Sequence, residues 1–252
     1  MHTHALDLLW TFIRTDFKGR YHGTIGGFLW ALLKPLAMFV VLFTVFSFVF
    51  SADDQYNANL LIGLFLYDFF GDSTKTGIMS LHAKGYLLTK ARFPSWIVVV
   101  ASMANAVITL GIFVVVIVLF RTIVDGPPSA SSLGLFLFYL LMFLTIAIGV
   151  SLAASVVFLR YRDLNQVWEV IVQAGFFLAP VVYPLRVMPE RYHFYFYLWP
   201  PTAVIEFSRS VLVAGVVPST RAHVFLMLEA ACVLAIGILV FRRYAPRAAE
   251  HI

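Results

Sequence analysis

Asp68 and Asp72 stand four residues apart in an otherwise apolar stretch, with Lys75 one turn further on, so the three fall along one helix face. A charge placed in hydrocarbon costs several kcal/mol, which makes an intramembrane acid a functional candidate by default. Pairing along the helix with Lys75 accounts for the same residues equally well. Glu229 lies in a second apolar stretch and has no neighbouring cation in sequence. An intramembrane transferase would need a cluster of acids or histidines at one membrane face, whereas His2, His4, His22, His82, His193, His223 and His251 are scattered.

Other chemistries lack their signatures. No HExxH, paired CxxC, GxSxG or GxxxxGK[ST] pattern occurs, so the chain carries no sequence support for a metal site, a hydrolase nucleophile or a nucleotide-binding loop. The one cysteine, Cys232, excludes an internal disulfide and reads as a small buried apolar side chain. We therefore expect no catalytic residues, no metal and no cofactor in this chain.

The elements that must hold those charges are membrane helices. The 252 residues are 61% hydrophobic and 12% charged, with a mean hydropathy of +0.89. Soluble domains run at roughly 45–50% apolar and about 25% charged. Six apolar runs are candidate spans: Phe28–Phe50, Asn59–Met79, Trp96–Phe120, Leu133–Leu159, Val167–Tyr183 and Val224–Phe241. They are continuous rather than alternating, which points to helices and not to barrel strands. The predicted fold class is all-α, a polytopic membrane protein with six transmembrane helices.

Basic residues orient the chain, since Lys and Arg concentrate on the cytoplasmic side. Placing both termini in the cytoplasm puts 13 of the 18 Lys and Arg residues inside and leaves Arg121, Arg186, Arg191, Arg209 and Arg221 outside. The net charge of +5 is explained by this bias and by attraction to anionic headgroups, so nucleic-acid binding is set aside. Residues 1–20 include Asp7 and Asp16 and lack the compact apolar core of a cleavable signal, and 1–22 read instead as an amphipathic interfacial helix. Its apolar face would comprise Leu6, Leu9, Trp10, Ile13, Phe17 and Tyr21.

Two loops and one longer region carry further information. The stretch Ser80–Ser95 mixes Leu81, Leu87 and Leu88 with Lys84, Lys90 and Arg92 and ends at Pro94, which separates it from the span beginning at Trp96. It reads as either a positive-inside anchor or a docking surface. In Arg160–Glu169, Asp163 is expected to cap the following helix or to pair with Arg160. The region Ala179–Arg221 contains six prolines and the aromatic string Tyr192–Trp199, and it is too apolar for a solvated loop. Irregular backbone at membrane depth is tolerated only when buried in protein or facing a wet cavity, which suggests a short re-entrant outer segment.

Taken together, the amphipathic N-terminus, RYHGTIGGFLWALLKPL at 20–36, AKGYLLTKARFP at 83–94, YRDLNQVWEVIVQAGFFLAPVVYP at 161–184 and WPPTAVIEFSRSVLVAG at 199–215 resemble the membrane subunit of bacterial polysaccharide ABC exporters of the type-2 class. That family moves O-antigen, capsular polysaccharide or teichoic acid. The resemblance implies a single transmembrane domain over 1–252, with five spans in 28–183, an outer re-entrant gate at 185–215 and the sixth span at 224–241. It implies a homodimer in the bacterial inner membrane, bound to two copies of a cytoplasmic ATPase that binds ATP and Mg, with a lipid-linked glycan as substrate. The alternatives are a type-2 permease for a drug or lipid, and an intramembrane transferase.

By the same resemblance, the residues expected to couple to the ATPase are Arg14, Lys18, Lys84, Leu87, Leu88, Lys90, Arg92, Phe93 and Pro94. Those expected along the substrate path and gate are Trp30, Tyr67, Tyr183, Tyr192, Tyr195, Tyr197, Trp199, Glu206 and Arg209. Aromatic faces suit this role because they contact sugar rings without demanding one sugar sequence. Lys34 departs from the uncharged or acidic residue expected before Pro35.

Overall fold

The computed structural model describes residues 2–21, 27–50, 55–86 and 93–248. Among these residues the secondary structure is helical throughout, with α1 His2–Tyr21, α2 Leu29–Phe46, α3 Tyr56–Ala83, α4 Trp96–Asp125, α5 Ala130–Arg160, α6 Leu164–Leu178, α7 Glu190–Tyr197, α8 Pro200–Leu212 and α9 Thr220–Ala248. Four of these helices, α2, α4, α5 and α9, are long and apolar enough to cross a membrane. The polar residues of α3 lower its hydropathy, yet its 28 residues extend about 42 Å. With only 15 residues, α6 extends about 22 Å, short of the roughly 30 Å hydrocarbon core. The apolar run to Tyr183 does not continue as helix because the chain breaks at Ala179 and Pro180.

The centre of the molecule is α3. Leu60, Phe65, Leu66, Phe70 and Ile78 are fully buried, and α4, α5 and α8 pack around them. Phe65 stacks on Phe113 at 4.2 Å and Phe70 on Phe143 at 5.6 Å, joining α3 to α4 and α5 through aromatic faces. Thr74, also buried, donates to the Phe70 carbonyl at 2.6 Å, so its hydroxyl is satisfied within its own helix. The turn between α4 and α5 is written in Gly-Pro-Pro-Ser. Gly126 ends α4 at φ +86°, a conformation that favours glycine, and the Ser129 hydroxyl caps α5 by accepting the Ser132 amide at 3.1 Å.

Along α9, α5 makes an extended contact in which Gly149 lies directly against Gly237. A Cβ on Gly237 would lie 2.2 Å from the Gly149 carbonyl oxygen, so the crossing depends on the missing side chain. Cys232 is exposed on α9, which corrects the expectation that it is buried: the packed face of α9 runs through Leu226 and Ala230 instead. Asp163 precedes α6 without a side-chain capping hydrogen bond, so the predicted cap is not formed.

The N-terminal helix packs against α4. Leu9, Phe12, Ile13 and Phe17 are half-buried, whereas Leu6 and Trp10 are each 67% exposed. The apolar face is thus split: one edge holds protein, and the other stays outside it. Phe12, absent from the predicted face, meets Phe93 at 5.5 Å and belongs to a small cluster with Leu81, Val98, Val156 and Phe241. This cluster gathers the end of α3, the start of α4 and the ends of α5 and α9, and so defines the α1 end of the molecule.

Candidate functional site: a charged cavity and a tethered hairpin

A cavity of about 720 Å³ opens between α2, α3 and α6. Its wall carries three cations, Arg20, Lys34 and Lys75, and three carboxylates, Asp68, Asp72 and Glu169, with Tyr67 and Trp168 among the aromatics. Arg20 grips Asp72 through two hydrogen bonds of 3.0 and 3.1 Å, and Lys75 pairs with Glu169. Asp72 of α3 is therefore paired from α1, and the expected pairing of Lys75 along α3 is replaced by a bond to the Glu169 carboxylate of α6. Lys34, which stood out in sequence, lines the same cavity as Asp68. Trp168 is fixed by donating its indole N–H to Thr74 Oγ1 at 2.9 Å, and the Tyr67 hydroxyl donates to the Val172 carbonyl.

From this cavity an aromatic series leads to the other end of the molecule. Phe70 lies 6.2 Å from Trp168 and 5.6 Å from Trp199, and Tyr67 meets Phe176 edge-on at 5.4 Å. Trp199 sits where Gly175 leaves room, since a Cβ there would come within 2.4 Å of the indole ring. Beyond it, Tyr197 contacts Phe207 at 6.0 Å, and Phe207 contacts Tyr139 at 5.8 Å. Burial, and then the Glu206 carboxylate, push the Tyr197 phenol up to about 12, so it stays protonated near neutrality.

Directly after α6, residues 179–184 are irregular yet largely buried, and several of their carbonyls are satisfied by side chains. Arg209 of α8, whose side chain is 8% exposed, donates to the carbonyls of Pro180 at 2.6 Å, Val181 at 2.8 Å and Asn59 at 2.9 Å. It also pairs with Glu206 at 2.8 Å. Tyr56 donates to the Val182 carbonyl at 3.0 Å, and Tyr183 to that of Phe177 at 2.6 Å. Gly63 admits the guanidinium, because a Cβ would lie 2.4 Å from Arg209 Nη2. One cation thus ties the α6–α7 connection and α8 to the start of α3. A smaller cavity of about 250 Å³ beside it is lined by Tyr183, Glu206 and Arg209.

The residues predicted for the path divide accordingly. Tyr67 lines the charged cavity, and Tyr183, Glu206 and Arg209 share the smaller one. Tyr197 and Trp199 are half-buried in the aromatic series, whereas Tyr192 and Tyr195 are exposed on α7, at 42% and 61%. Trp30 is 63% exposed on α2 and does not line either cavity. Sequence reasoning missed Arg20, Trp168, Glu169 and Gln173 as cavity residues. The signal available was the polar spacing of Glu169 and Gln173, four apart in a stretch read as a span.

Of the residues predicted to couple to an ATPase, Lys84 is 16% exposed at its side chain, pairs with Asp16 and donates to Ser102 Oγ at 2.9 Å. With Phe93 against Phe12, it clamps α1 to α3 and α4. Pro94 accepts the Ile97 amide at 3.1 Å, at the start of α4. Arg14 and Lys18 are exposed on α1. Leu87, Leu88, Lys90 and Arg92 lie outside the described residues.

These features belong to a membrane transport subunit, and the chain is a member of the ABC-2 type transporter family, which matches it over residues 7–213. Among its relatives is an O-antigen export system permease protein, RfbA, of Klebsiella pneumoniae, 23% identical over 248 residues, covering 98% of this chain and 95% of that one. An RfbA of Myxococcus xanthus is 27% identical over 189 residues, with 73% and 71% covered. The polysialic acid transport protein KpsM of Escherichia coli is 23% identical over 221 residues, with 86% and 85% covered.

Proposed function

We propose that this chain is the permease subunit of an ATP-driven exporter that moves a lipid-linked polysaccharide, an O-antigen or a similar surface glycan, across the bacterial inner membrane. It works as a homodimer with two copies of a cytoplasmic ATPase, which supplies the ATP and Mg chemistry this chain lacks. In this reading α2, α3, α4, α5 and α9 cross the membrane, α6 makes the sixth crossing together with the irregular residues 179–183 that follow it, and both termini lie in the cytoplasm. The α1 end faces the cytoplasm, α1 lies in the interface, and α7 and α8 form the re-entrant outer gate.

The observation that carries the reading is the charged cavity of α2, α3 and α6 continued by aromatic rings to the outer hairpin. Paired charges offer donors and acceptors to hydroxyl and phosphate oxygens, while aromatic faces contact sugar rings. Neither demands one glycan sequence. Six charged groups on one wall favour this reading over a permease for an apolar drug or lipid.

The test is complementation of a strain deleted for this chain. Surface glycan is measured beside the yield of folded complex with the ATPase encoded nearby. Restored surface glycan and disappearance of accumulated lipid-linked glycan are expected. A deletion strain with normal surface glycan and no accumulated intermediate would overturn the assignment.

A further inference from the structure

At the α1 end, on a flank distinct from the charged cavity, a groove of about 700 Å³ runs between the start of α4, the middle of α5 and the last turns of α9. Its inner end is aliphatic, formed by Ile148, Leu152, Leu234 and Ile238. Its rim carries Trp96, 43% exposed, and Arg242, the one charged residue among the described lining residues. Arg242 is exposed, and among the described residues it makes no ion pair or hydrogen bond. From Leu234 to Arg242 the groove follows α9 for eight residues, about 12 Å of helix rise.

We propose that this groove binds one anionic phospholipid, its acyl chain along Ile148, Leu152, Leu234 and Ile238 and its phosphate on Arg242. The three helices that form the walls are all long and apolar enough to cross a bilayer, so the aliphatic trough lies at hydrocarbon depth, where an acyl chain is the available filler. The rim matches the polar part of the same molecule. An indole prefers headgroup depth, and an unpaired guanidinium with no carboxylate beside it in the wall attracts a phosphodiester. The volume lies within the roughly 300–1,000 Å³ of small-molecule sites. Because Phe93 and Phe241 line this groove and also belong to the cluster that holds Phe12 of α1, a bound lipid would brace the packing of α1 against the start of α4.

The test is native mass spectrometry of the full-length chain, stripped of lipid in a neutral detergent and titrated with phosphatidylglycerol or phosphatidylcholine of the same acyl chains. One phosphatidylglycerol per chain is expected to bind about five- to tenfold more tightly than phosphatidylcholine, the scale of one basic contact at a membrane surface. Arg242→Gln brings phosphatidylglycerol to the phosphatidylcholine level and leaves the latter unchanged, and Arg242→Lys keeps most of the preference. Arg243→Gln removes the adjacent exposed charge, which does not line the groove, and keeps the preference. Ile238→Trp fills the trough and weakens both lipids. Retained preference in Arg242→Gln, an equal loss in Arg243→Gln, or no bound lipid in the parent chain would each overturn the proposal. Matched melting profiles of the Arg242 and Arg243 variants separate binding from misfolding.

Discussion

Arg209 is the residue whose loss should be felt furthest. Replacing it by Met preserves length and much of the packing but removes donors to Pro180, Val181 and Asn59 and leaves Glu206 unpaired. Pro180 and Val181 lie in irregular backbone, so their carbonyls have no helical donor to fall back on. A buried acceptor left unsatisfied costs about 1–3 kcal/mol, and removing one partner of a buried ion pair costs about 3–5 kcal/mol. These terms overlap in one side chain, and a net loss of about 3–5 kcal/mol is expected. For a chain of this size that is a fall in melting temperature on the order of 10 °C.

The assay is thermal unfolding of the purified chain in lipid nanodiscs, beside limited proteolysis of the 179–212 segment and export in cells. Arg209→Lys should recover part of the loss, since an ammonium has three donors but no planar fork to span separate carbonyls. Glu206→Gln should cost less than Arg209→Met because an acceptor remains. The Arg209→Met, Glu206→Gln double variant should cost less than the sum of the two, as the pair is shared. Arg209→Met that melts and exports like the parent chain would refute the view that this cation holds the hairpin.

Four further outcomes are expected, three from the same geometry and the last from the sequence of the 83–94 loop. Gly237→Ala should lower stability by about 1–3 kcal/mol in the same unfolding assay, because its Cβ falls 2.2 Å from the Gly149 carbonyl oxygen. Gly175→Ala should displace Trp199 and change tryptophan emission together with export, and unchanged emission would argue against the fit of indole to glycine. Arg20→Asp should reduce export, and adding Asp72→Arg should restore much of it, whereas stability should shift by no more than about 1 kcal/mol for so exposed a pair. Leu87→Asp with Leu88→Asp should abolish co-purification with the ATPase while membrane insertion persists, and an intact, active complex would leave this loop as a topological anchor.

The helices were readable because apolar length is a composition signal that survives without tertiary knowledge. Trp96–Asp125 and Ala130–Arg160 contain the predicted runs, and Pro200–Leu212 falls inside the outer segment expected over 185–215. The end of α6 was misread because apolarity continues through Val181 and Val182 although helix does not. Hydropathy cannot distinguish a helical span from irregular backbone whose carbonyls are met by Arg209 and Tyr56. The site was legible in part. Asp68, Asp72 and Lys75 were visible as misplaced charges, but their partners Arg20 and Glu169 are 52 and 94 residues away, and no local rule pairs residues over that separation.

That separation explains how the cavity holds six charges within a chain this apolar. A lone carboxylate on α3 would carry its full desolvation cost, and a partner on the same helix would neutralise it without shaping a site. Drawing Arg20 from the end of α1, Lys34 from α2 and Glu169 from α6 instead makes the charges converge on one space, with three of each sign. Each ion pair then also acts as a lateral tie between helices, Arg20 to Asp72 and Lys75 to Glu169. A helix movement that separates α6 from α3 must break the second tie while leaving the first in place. A movement that separates α1 from α3 does the reverse, so the two ties respond to different helix motions.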